Sequence, residues 1–170
     1  MERLRKTQVY DQFHRTMPML RAARNRIRNT FITTHYDKVV GTRCLEIAEQ
    51  LHDEHVQRGV KVLHAANMGL ESGDAQKAAQ GMNALHRYNR LTARLTRLFE
   101  SDVSDELPII EDAYKKVNGV EVRVPGESVR VPVKIRMTKF MSRLQEAHAA
   151  IAAHGSRAKF RIKADDTVAV

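Results

Sequence analysis

The densest run of potential metal ligands and acid–base groups is Glu46, Glu49, His52, Asp53, Glu54 and His55. Glu49 and His52 have the Glu-x-x-His spacing of di-iron bundles, in which residues i and i+3 project together. Such a centre needs a second Glu-x-x-His and two further carboxylates on facing helices, and the chain holds no second copy. His52 and His55 could chelate zinc across one helical turn, but two more ligands would be required. The run therefore reads as a solvated acidic helix face with His55 near the core boundary, and no metal is expected. Cys44 falls on an apolar stripe and reads as a small buried hydrophobe, because a catalytic thiol needs an electropositive, accessible setting. Gly-x-Ser-x-Gly, a phosphate loop ending in Gly-Lys-Ser/Thr and a dinucleotide glycine fingerprint are all missing from the sequence. The expectation is a protein that is not an enzyme and carries no cofactor.

Arginine carries the stronger signal. At 100° per residue, Arg87, Arg90, Arg94 and Arg97 cluster on one helix face, away from the apolar face of the same segment. Guanidinium groups form bidentate pairs with phosphate or carboxylate, so such a row could follow a phosphate backbone. Asn83, Asn89 and Thr96 could add hydrogen bonds there. Arg21, Arg24, Arg26 and Arg28 form a second cluster, and Arg157, Lys159, Arg161 and Lys163 a third. All twelve cations are candidate contacts to nucleic acid or to a partner surface.

Charge distribution points the same way. Residues 1–36 hold 8 Lys/Arg against 2 Asp/Glu, residues 37–127 hold 12 against 15, and residues 128–170 hold 9 against 3. Basic ends on a mildly acidic middle suit termini that lie against phosphates, anionic lipid or acidic partner surfaces. The 170 residues make one domain with arms, and an apolar fraction of 42% is enough for a core. A single cysteine excludes an intramolecular disulfide. No apolar run approaches the ~18 residues of a membrane span. From Gln12 to Tyr36 there is no acidic residue, a composition compatible with an organellar address or a nucleic-acid-binding arm. An intracellular, mitochondrial location is one expectation from it.

Stepping along the chain, the helical period dominates and predicts a mainly α fold built on an antiparallel helical hairpin or bundle. Residues 1–36 read as a basic N-terminal helical arm, with helix over Arg3–Met17 and again over Pro18–Thr30, broken at Pro18. Residues 37–118 read as the helical core. A helix from about Asp37 to Asn67 carries Val40, Cys44, Ile47, Ala48, Leu51, His55, Leu63 and Ala66 at three-or-four spacing. A turn follows, with Gly69 as C-terminal cap. The next helix, about Asp74 to Glu100, carries Met82, Leu85, Tyr88, Leu91, Leu95, Leu98 and Phe99, and a shorter one runs from Pro108 to near Gly119. Residues 119–136 alternate as Val120–Val124 and Val129–Ile135 about a Pro125–Ser128 turn, which predicts a small β-hairpin. Residues 137–155 form a C-terminal helix ending at Gly155, and 156–170 a basic tail with strand potential at Phe160–Lys163.

The Arg26-Ile-Arg28 and Phe31 pattern after a basic opening helix resembles the LYR proteins, small basic three-helix accessory subunits of respiratory complexes and mitochondrial ribosomes. The Leu-Tyr-Arg triplet is absent, the resemblance covers about the first fifth of the chain, and it assigns no residue a role. The functional expectation is a non-catalytic structural subunit of a large assembly, ribonucleoprotein and ribosome-like, among neighbouring protein subunits and RNA. The alternatives are an accessory subunit of a membrane energy-converting complex, with the arginines on acidic proteins or anionic lipid headgroups, and a DNA-binding or virion structural protein.

Overall fold

A computed structural model describes residues 1–33, 38–100, 114–117, 120–123 and 133–161. The described residues are mainly helical: α1 (Glu2–Arg5), α2 (Gln8–Thr33), α3 (Lys38–Glu71), α4 (Ala75–Glu100) and α5 (Val133–His154), with a 3-10 turn at Gly155–Arg157. Helix α4 packs against both α2 and α3, and α5 rests on α3. Because α4 is flanked on two sides, its buried face is wide and includes Asn89, Thr92 and Thr96 beside the expected Leu85, Tyr88, Leu91, Leu95, Leu98 and Phe99. The polar members bond within the bundle, except that the buried Asn89 Oδ1 has no hydrogen-bond partner among the described residues. Asn89 Nδ2 donates to the Val9 carbonyl at 3.0 Å, and the Thr96 hydroxyl to the Thr92 carbonyl at 2.9 Å. Neither is available to a ligand, which corrects the sequence reading of both.

Two apolar clusters hold the helices together. The larger joins Leu20, Ala23 and Ile27 of α2, Cys44, Ile47, Ala48 and Leu51 of α3, Leu91, Leu95, Leu98 and Phe99 of α4, and Phe140, Leu144, Ala147 and Ile151 of α5. The smaller joins Leu4, Ala66, Leu85 and Tyr88 near the α3–α4 turn, with Phe13 and Met17 packed on it. The chain start is clipped there: the terminal amine meets Glu71 at 3.1 Å, and the Arg3 guanidinium reaches the Leu70 carbonyl at 3.4 Å.

Several boundaries differ from the sequence expectation. Pro18 does not break the arm; it lies inside α2 on an exposed position. An interior proline costs about 3 kcal/mol, which burial of Leu20, Ala23 and Ile27 on the opposite face offsets at ~1.5–3 kcal/mol for each larger side chain. The break comes earlier, at Lys6–Thr7, where the Thr7 hydroxyl accepts from the Tyr10 amide at 3.2 Å. Gly69 does not end α3. It sits inside the helix where a Cβ would lie 2.6 Å from the Lys77 carbonyl oxygen, so it permits close approach of α3 and α4. The turn residue is Gly73, with φ of 73°, followed by Asp74, whose carboxylate accepts from the Gln76 amide at 2.9 Å and caps α4.

The β-hairpin expected over 119–136 is not supported. Val133–Ile135 are already helical in α5, so the second strand does not extend over those three residues, and residues 129–132 lie outside the described ones. The short pairing present lies upstream, β1 (Tyr114–Val117) against β2 (Val120–Arg123), antiparallel with Tyr114 opposite Arg123. It also replaces the end of the helix expected from Pro108 to Gly119. Asn118-Gly119 between the two segments is the strongest short hairpin signal in a sequence. Residues 101–113, including Pro108, and the Pro125–Ser128 turn lie outside the described residues.

Candidate functional site

The α4 arginine row meets the C-terminal tail in one cleft. Helix α5 ends because Gly155 takes a left-handed φ of 58°, open to glycine without strain. Arg58 of α3 donates to the Ile151 carbonyl at 2.7 Å, satisfying one of the acceptors left free at that helix end. The 3-10 turn then lays the chain back on α4. Ala158 is buried to 3% exposure in the main core, with Phe160 packed against that core. Arg94 Nη1 donates to the Ala158 carbonyl at 3.1 Å, tying the tail to the helix. So the start of the tail is not a free arm, and Ser156, Arg157, Ala158 and Lys159 form one wall of a cleft.

The result is a cleft of about 340 Å³ lined by Arg87, Arg90, Leu91 and Arg94 of α4 and by Ser156, Arg157, Ala158 and Lys159. Five of the eight lining residues are cations and none is a carboxylate. Among the described residues, Arg87, Arg157 and Lys159 form no ion pair, while Arg90 Nη2 lies 3.1 Å from His86 Nε2. Like charges gathered without counter-charge repel one another, and an anion between them removes that repulsion. Arg97 is exposed on the same helix face, and Arg161 is exposed beyond Lys159. Lys163 lies outside the described residues, and Asn83 is exposed outside the lining.

The N-terminal cluster has a different fate. Arg28 Nε donates to Glu49 Oε1 at 2.9 Å, and its Nη2 meets the same oxygen. Arg24 lies 3.8 Å from Asp53 and 3.2 Å from His52 Nδ1, and also donates to Asn25 at 3.0 Å. Arg21 lines a second cleft, of about 570 Å³, with Arg24, His52, Asp53, Val56 and Gln57. Arg26 is exposed. The acidic run of α3 thus serves as the counter-charge of α2.

That arrangement also places the histidines. Glu49 is engaged by Arg28, and His52 is buried, with Asp53 Oδ1 at 3.1 Å from its Nδ1. Burial holds the His52 imidazole below its ordinary range, opposed by the Asp53 hydrogen bond. His55 is not at the core boundary but wholly inside, stacked on Tyr88 with ring centroids 4.2 Å apart. Thr92 Oγ1 lies 2.6 Å from His55 Nε2, and its hydroxyl is placed to donate to the Tyr88 carbonyl at 3.0 Å. Burial, reinforced by His52 and Arg58, brings the His55 pKa down to about 3. Tyr88 Oη donates to the His55 carbonyl at 2.5 Å, and burial pushes its phenol well above the ordinary range. Cys44 is buried in the main core, where burial pushes the thiol up to about 12, against thiolate chemistry.

Sequence reasoning missed Arg58, Ser156 and Ala158, which cap, line and anchor the cleft. The legible trace of the docked tail was its alternation, cationic Arg157, Lys159 and Arg161 against apolar Ala158 and Phe160. No helix among the described residues is long and apolar enough to cross a membrane. No family model, no curated protein and no solved structure matches this chain.

Proposed function

We propose that this chain is a non-catalytic structural subunit of a ribonucleoprotein assembly, ribosome-like in kind, which it enters by laying its cationic cleft against RNA phosphates. The observation that carries the reading is the gathering of Arg87, Arg90, Arg94, Arg157 and Lys159 around one cleft without a carboxylate. Arginine supplies planar, permanently charged donors suited to phosphate oxygens, and contacts of that kind fix position rather than read sequence. The helical bundle supplies the rigid body, and its remaining surface meets neighbouring protein subunits. An organellar compartment belongs to the same proposal and draws on the acid-free stretch from Gln12 to Tyr36.

The test is the native size of the endogenous protein on a gradient at near-physiological salt, with and without nuclease. A large particle that collapses with nuclease is expected. A large nuclease-resistant particle would overturn the proposal in favour of a protein or membrane complex. Migration near 19.4 kDa under both conditions would overturn any assembly role.

A further inference from the structure

The cleft carries two rows of cations rather than one. The first is Arg87, Arg90, Arg94 and Arg97, which at 1.5 Å per residue covers about 15 Å of α4. The second lies on the tail, where Ala158 is buried and Phe160 half-buried while Arg157, Lys159 and Arg161 are exposed. That alternation has the period of extended chain, and Ala158 has an extended backbone, φ −55° and ψ 136°. The Arg94 bond to the Ala158 carbonyl and the burial of Ala158 set the spacing between the rows. Arg97 and Arg161 stand outside the lining, so both rows run on past the cleft. A compact anion would be satisfied by the lining alone. Rows that continue beyond it suit an extended polyanion.

The chemistry of the lining narrows the class. It contains no aromatic ring on which a base could stack, and no Asn, Gln, Asp or Glu to pair with a base edge. Arginine reads guanine through an accessible major groove, and the deep, narrow groove of A-form RNA does not admit side chains. Resting on the ribonucleoprotein reading above, we infer that the α4–tail cleft is a two-sided clamp for the phosphodiester backbone of RNA, gripping it between the rows without reading base identity.

Three labelled single-stranded RNAs of equal length, one all-uridine, one all-adenosine and one of mixed sequence, are titrated with the full chain by fluorescence anisotropy. Salt is varied from about 50 to 200 mM. The three affinities should agree within about threefold and fall together as salt rises. Arg87→Glu on one row and Arg157→Glu on the other should each weaken all three about tenfold and flatten the salt slope by about one. Arg87→Gln and Arg157→Gln, with melting curves for every variant, separate lost contacts from lost fold. An effect from only one row would overturn the clamp, and so would a base preference above tenfold; both outcomes leave the ribonucleoprotein reading standing. Failure to bind any of the RNAs at low salt would overturn both, as would displacement of RNA by polyglutamate at equal charge.

Discussion

The arginines of α2 and those of α4 recur at similar three-or-four spacing, yet α2 lies against the acidic run of α3 while α4 turns its row toward residues 156–161, whose charged members are all cations. Arg24 and Arg28 meet Asp53 and Glu49, and these contacts register one helix on another. Arg87, Arg90 and Arg94 share one cleft with Arg157 and Lys159, and no carboxylate lines it. What separates an arginine face that meets carboxylates from one that meets other cations is the helix or tail lying opposite, which composition does not record. The distinction also assigns the acidic residues a purpose, since Glu49 and Asp53 neutralise the α2 side.

Leu91 lies under the cleft, belongs to the main core and is 2% exposed. Leu91→Ala should destabilise the bundle by about 2–5 kcal/mol, read from a urea transition, and take the cleft with it. An unchanged midpoint would show that α4 does not use this face as its core.

Acid should destabilise the bundle through its buried histidines. His55 is held neutral with its pKa down at about 3, whereas in the unfolded chain an imidazole titrates near 6.5. Between those values the unfolded state binds more protons. The stability from His55 is therefore complete above about pH 6.5 and declines as pH falls toward 3, by up to about 1.4 kcal/mol per pH unit. His52, also held below its ordinary range, acts in the same direction. Urea midpoints at a series of pH values test this, and a flat profile between pH 6.5 and 4 would contradict the buried neutral ring.

The smallest expected effect is the sharpest discriminator. Arg28 and Glu49 are both partly solvated, so Arg28→Glu should cost about 1 kcal/mol or less and leave the salt slope of RNA binding unchanged. Arg87→Glu should show the reverse, weakened binding with an unchanged urea midpoint. Identical behaviour of the two variants would erase the distinction between the faces.

Much of the scaffold was legible. The apolar positions of α4 read from the sequence are buried with only Met82 half-exposed, and α5 buries Phe140, Leu144, Ala147 and Ile151, which recur at three-or-four spacing. A strong 3.6-residue period survives because each side chain on the stripe contributes burial independently. The errors fell where one local signal had two physical uses. Pro18 reads as a helix stop but is tolerated on an exposed face, and Gly69 reads as a cap but makes room for the Lys77 backbone. Val129–Ile135 alternates like a strand, yet its last residues open α5. Asn89 and Thr96 look like surface groups only until a second helix covers α4.

The sequence by itself determined the helices, their apolar faces, the α3–α4 hairpin and the identity of every cation, because periodicity and charge are properties of chain order. Tertiary structure alone decided which cations face carboxylates and which face each other. That choice depends on two long-range placements, α2 lying along α3 and the tail folding back from Gly155 to bury Ala158 on α4. Charge is written along the chain, but its counter-charge is set by packing, since Coulomb energy depends on distances through space that sequence separation does not encode.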